Sequence, residues 1–211
     1  ANLDHPTPHP RVPWDELRAR NVPLLRRLTD VYGACALLAW HDDRVVGQVR
    51  FYPKAVAALP EAGGMCLQQT FPAGPSDHLA EMPLPPLAAL PDRTLAVHCL
   101  MTGSPQQAEN PHQRRGLGTA LARALIAWAR EQGWGAVEAT AYQDLPLIYA
   151  ITGQAGRRFW EKVGLCMVAQ DVEPALGEDS GFARELLRQA AAAGLTPEDA
   201  RARFTMRIEL A

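Results

Sequence analysis

At 211 residues, 47% of them apolar and with a formal net charge of −2, the chain is long enough for one domain with a sizeable core and has no basic excess for neutralising nucleic-acid phosphates. Its four cysteines (Cys35, Cys66, Cys99 and Cys166) lie far apart without a C-x-x-C pair, which predicts reduced thiols in a cytoplasmic protein and neither a zinc site nor a disulfide framework. No segment reads as a signal peptide, and no apolar run is long enough to span a membrane.

Residues 1–13 are rich in proline and histidine and read as an extended tail, with His5 and His9 solvated and not bound to metal. Residues 14–31 carry Trp14, Leu17, Leu24, Leu25 and Leu28, which predicts one helix, or two interrupted near Pro23. Apolar runs at 34–40 and 45–52 predict a hairpin around His41-Asp42-Asp43-Arg44. Prolines then punctuate 53–92, which reads as a long irregular insertion with one possible strand at 65–71.

Residues 93–101 are apolar with little alternation and predict a mostly buried strand. After Gln113-Arg114-Arg115-Gly116-Leu117-Gly118-Thr119, the residues Leu117, Leu121, Leu125 and Trp128 recur at helical spacing, and Gln132-Gly133 supplies a stop. Residues 136–142 alternate with period two and predict a strand, followed by a loop to Gly156. A helix with Phe159, Trp160 and Val163 on one stripe ends at Gly164, and 166–172 reads as a further strand. Helices at 182–193 and 197–203 precede a last strand at 204–210, with Leu186, Leu187 and Leu195 available to pack on the domain or on a second copy.

The glycine turn at 113–119 is a place to hold phosphate. The first amides of a helix have no intrahelical acceptor, the helix dipole adds positive potential there, and two arginines stand beside the turn. A Walker A loop is excluded because Gly118 is followed by Thr119-Ala120, and a dinucleotide fingerprint is excluded by Leu121. Gln113-Arg114-Arg115-Gly116-Leu117-Gly118 instead resembles the coenzyme A pyrophosphate signature of the GCN5-related N-acetyltransferases (GNAT). The run from Arg157 to Leu165 resembles that family's second signature, and the order strand, turn, helix, strand, helix agrees with it.

The resemblance implies an α/β fold, with a mixed, mostly antiparallel central sheet flanked by helices. It implies a single domain over 1–211, with the coenzyme A-binding core at 93–165 and a helical insertion at 173–203. It also implies an acetyl-CoA-dependent N-acetyltransferase acting on a small-molecule or peptide amine, with a homodimer as family habit; the charge and the lack of a long apolar run predict no nucleic-acid or membrane partner. Gln113, Arg114, Arg115, Gly116, Leu117, Gly118 and Thr119 would hold the pyrophosphate, and Cys99, Leu100 and Met101 would flank the thioester.

Four residues are candidates for moving protons. Glu138 would serve as base, the competing reading being a carboxylate paired with an arginine. His98 has a suitable reference pKa but lies in an apolar strand, on a face expected to alternate with that of Cys99; Cys99 itself reads as a buried structural thiol. The family's tyrosine acid is replaced by Trp160, which cannot donate a proton near neutrality, and the usual asparagine is Gly153; Tyr149 and Tyr142 are substitutes. If none serves, the domain would bind acyl-CoA as a sensor or structural module without turnover. The insertion at 53–92 is equally a wall of the acceptor site or a surface excursion.

Overall fold

In this computed structural model the described residues are 14–57, 83–102, 111–112, 114–152, 154–177 and 180–210. The tail with His5 and His9, the strand expected at 65–71, Cys66, Gln113 and Gly153 lie outside them.

The first described element is one continuous helix, α1 (Trp14–Tyr32), which runs through Pro23 instead of breaking there. Leu24, Leu28 and Tyr32 form a buried i, i+4, i+8 stripe. Burying three such side chains contributes roughly 2 kcal/mol each, which outweighs the cost of about 3 kcal/mol for an interior proline. Strands β1 (Ala36–His41) and β2 (Arg44–Pro53) form the expected hairpin. Its two turn residues, Asp42 and Asp43, both take left-handed φ (47° and 59°), the twist that a two-residue hairpin turn needs.

A short helix α2 (Lys54–Ala57) follows, then β3 (Thr94–Thr102), antiparallel to β2. The remaining elements are α3 (Leu117–Glu131), β4 (Ala136–Tyr142), α4 (Pro146–Thr152), α5 (Arg157–Lys162), β5 (Cys166–Val172), α6 (Ser180–Ala192), α7 (Pro197–Ala200) and β6 (Ala202–Glu209). The hydrogen-bonded strand order is β1-β2-β3-β4-β6-β5. The fold is thus mixed α/β with an open, mostly antiparallel sheet. Contacts gather into two compact units whose boundary falls inside β4, between Val137 and Glu138.

In the N-terminal unit, α3 covers one face of the hairpin strands. Phe51 on β2 packs on Trp128 with ring centroids 5.0 Å apart, beside buried Leu121, Leu125 and Ala129. The helix stops as expected, with Gly133 in the left-handed region at φ 79°.

In the C-terminal unit, β5 and β6 pair antiparallel, and a core forms from Leu145, Ile148, Leu176, Leu186, Ala190 and Ala200. Leu186 is fully buried there while Leu187 is exposed. Two expectations are corrected. Residues 146–152 are helical, because Leu145 and Ile148 anchor that segment in the core. Helix α7 ends at Ala200, because from Ala202 the alternately buried Ala202, Phe204 and Met206 pair with β5 as a strand.

Candidate active site

The turn before α3 has the geometry of an anion cradle. Gly116 is the N-cap at φ 84°, a conformation that glycine adopts without penalty, and no side chain caps the helix. The first intrahelical bond runs from the Ala120 amide to the Gly116 carbonyl at 3.0 Å. The amides of Leu117, Gly118 and Thr119 therefore point out of the helix end without an intrahelical acceptor. No acidic residue occupies the first turn. Arg114 and Arg115 are exposed, and neither has an ion-pair partner among the described residues. These groups fit a pyrophosphate.

Gly47 on β2 sets how closely α3 approaches the sheet. A Cβ at this position would lie 3.1 Å from each of Leu117 Cδ2, Leu121 Cδ1 and the Met101 carbonyl oxygen. The glycine thus seats the start of α3 against β2 and β3. A glycine inside a strand pattern signals such close approach, and here it went unread in the sequence.

Strand β3 is interrupted where the thioester is expected. Arg50 pairs with Cys99 while Phe51 pairs with Val97, so His98 is the extra residue of a β-bulge. In such a bulge two successive side chains lean to the same side as the residue opposite them. The expectation that His98 and Cys99 point to opposite faces is corrected on this ground. Tyr52 meets the His98 ring at 5.4 Å, and its phenol is also influenced by the Cys99 thiol. Burial, helped by the Arg50 charge, pushes His98 down to about 4, so it is a neutral and weakly basic imidazole at pH 7. Further along β3, Gln48 Nε2 lies 3.6 Å from Met101 Sδ. Cys99, Leu100 and Met101 are all half-buried.

The C-terminal unit carries the other candidates. Glu138 on β4 is 8% exposed, and its Oε1 accepts a hydrogen bond from Arg207 Nη1 at 2.6 Å. Arg207 Nε also donates to Glu209 at 2.5 Å, and these two carboxylates raise the guanidinium pKa. Tyr149 on α4 is 52% exposed, and the Tyr142 hydroxyl donates to Glu173 at 3.5 Å. Trp160 is buried, and its indole N–H has no hydrogen-bond partner among the described residues. The sequence did not single out Asp144, whose carboxylate accepts from the Arg158 amide at 3.1 Å and so closes the free N-terminus of α5.

Residues 109–164 match the model of the acetyltransferase (GNAT) family, a stretch that holds both the phosphate turn and α5. No curated protein matches the sequence. Among solved structures, the chain is similar to an agmatine N-acetyltransferase variant (16% identity, 96% of this chain and 84% of that one, TM-score 0.47). A GNAT-family protein from Desulfovibrio desulfuricans gives 16% identity over 89% of this chain and 91% of that one, with a TM-score of 0.43. An aminoglycoside 6'-N-acetyltransferase complexed with coenzyme A gives 13% identity over 83% and 72%, with a TM-score of 0.40. Members of the matched family take their acetyl group from acetyl-CoA. The similarity to the GNAT acetyltransferase family is thus carried by residues 109–164.

Proposed function

We propose that the chain is an acetyl-CoA-dependent N-acetyltransferase that moves the acetyl group directly to the primary amine of a small molecule or peptide. The observation that carries this reading is the start of α3: three outward amides, a left-handed Gly116, no capping side chain or acid, and two exposed arginines without an ion-pair partner among the described residues. In this reading the amides of Leu117, Gly118 and Thr119, with Arg114 and Arg115, hold the pyrophosphate, and Gln113 is the remaining residue of the signature. Acetyl-CoA supplies an acyl group activated by a thiolate leaving group. The backbone of Cys99, Leu100 and Met101 holds the pantetheine arm and turns an amide to the thioester oxygen.

The acceptor nitrogen forms the new C–N bond as the C–S bond breaks, with the amine proton lost and the thiolate protonated. Glu138 is engaged by Arg207 and His98 is weakly basic, so we assign the amine proton to water and not to either side chain. Tyr149 stays the candidate proton donor to the thiolate, on its chemistry and exposure. A second reading, an acyl-CoA-binding module without turnover, is favoured by one observation only, the buried Trp160 at the position of the family's acid.

Replacing Gly118 tests the site. Gly118→Trp should abolish acetyl-CoA binding while leaving the thermal midpoint near that of the parent. A variant that binds as the parent does would place the cofactor elsewhere. Thiol release with any amine separates enzyme from binding module.

A further inference from the structure

Gly47 and Phe51 on β2 meet α3, so Arg50 falls on the opposite face of the strand pair. Its Nε is buried without a hydrogen-bond partner among the described residues, and no carboxylate there pairs with its guanidinium. Two positions on, Tyr52 is 1% exposed, and its hydroxyl is also buried. Arg50 acts on the phenol both by its charge and as a hydrogen-bond donor, and neither the Arg50 Nε nor the Tyr52 hydroxyl has another partner among the described residues. The bulge brings His98 and Cys99 to the same side, and the Cys35 thiol is the remaining titratable neighbour of Tyr52. Among the described residues the guanidinium has no carboxylate to balance its charge and the buried phenol O–H has no acceptor, an arrangement that folding does not maintain cheaply.

The partner that suits this pair is an anion with two oxygens in one plane, because a guanidinium presents parallel N–H donors to such a group. Its charge is also defined. His98 stays neutral beside Arg50, which leaves a single positive charge to balance. A carboxylate matches one charge, whereas a phosphate dianion leaves one in excess. Position selects which molecule brings it. Arg50 pairs with Cys99, and Gly47, where α3 begins, lies about 10 Å back along β2. The anion therefore belongs at the thioester end of the strand and not at the phosphate turn.

We propose that Arg50, backed by the Tyr52 hydroxyl, receives a carboxylate of the acceptor, so that the substrate class is an amine that also carries a carboxylate, such as an amino acid or a short peptide. This assignment rests on the acetyltransferase reading above. It makes Arg50 a specificity-determining residue, absent from the family's two signatures and distinct from the phosphate turn.

The test uses the full chain loaded with coenzyme A and three probes followed by calorimetry: N-acetylglycine, N-acetylglycinamide and inorganic phosphate. Saturable binding of N-acetylglycine, at least tenfold tighter than the amide or phosphate, is the expected result. Arg50→Met should remove that preference with coenzyme A affinity and thermal midpoint unchanged, and Arg50→Lys should restore part of it. Equal binding of acid and amide, or tighter binding of phosphate, overturns the proposal. So does a lack of binding by all three. If coenzyme A itself does not bind, the acetyltransferase reading falls, and the same probes on the cofactor-free protein decide the carboxylate site alone.

Discussion

The Glu138 carboxylate accepts a 2.6 Å hydrogen bond from the Arg207 guanidinium, which joins β4 to β6 within the C-terminal unit. This pairing makes Glu138 a structural carboxylate in the account given above. Glu138→Gln should therefore leave the acetylation rate within about threefold of the parent, well short of the 10²-fold or greater loss expected for a general base. Arg207→Met, which strands a buried charge, should cost about 3 kcal/mol in chemical denaturation. Loss of activity in Glu138→Gln with stability intact would return Glu138 to the role of base.

Gly47 controls the seat of α3. A side chain here must displace two leucine termini and also a backbone carbonyl, which cannot swing away. Gly47→Val should shift the start of the helix and weaken acetyl-CoA binding about tenfold, a loss of roughly 1.4 kcal/mol. Calorimetry of the variant checks this, and an affinity equal to the parent's would mean that the helix start does not govern the cofactor site.

His98 links folding to acid. Its folded pKa is lowered to about 4 from a reference of 6.5, so between those values the unfolded chain binds a proton that the folded chain refuses. Stability should rise with pH across that window and lose this dependence above it, the full difference being about 3 kcal/mol. His98→Gln should flatten the slope between pH 4 and 6.5. The same shift predicts that kcat/KM shows no inflection near 6.5 from this residue. An unchanged slope in the variant would show that another group carries the linkage.

Gly156 and Asp144 form the second tight approach. A Cβ on Gly156 would land on the Asp144 carboxylate, which holds the Arg158 amide at the start of α5. Gly156→Ala should force that carboxylate out and cost about 1–2 kcal/mol, the range for losing a helix cap. Asp144→Ala should cost a similar amount, and the double variant should cost little more than either alone. Additive losses would indicate that the two act independently.

Much of the secondary structure was legible because the apolar periods are clean. Leu117, Leu121, Leu125 and Trp128 mark α3, and the paired aspartates mark the hairpin turn. The phosphate turn was readable for the same reason: glycine, arginine and helix entry are all local. What local pattern does not contain is the register between strands. One extra residue at His98 turns two neighbours to the same side, and only the pairing of β3 with β2 reveals it. The same holds for Arg50 and Tyr52, which read as ordinary alternating strand residues until their polar atoms are found buried. Helix α4 escaped detection because its anchors, Leu145 and Ile148, are held by residues from 176 onward.

The central claim is that the start of α3 holds coenzyme A, and calorimetric titration of the parent chain with acetyl-CoA, with NAD and ATP as controls, tests it most directly. Saturable binding of acetyl-CoA alone is the predicted result. A folded sample that binds none of the three, or binds all three alike, would contradict it.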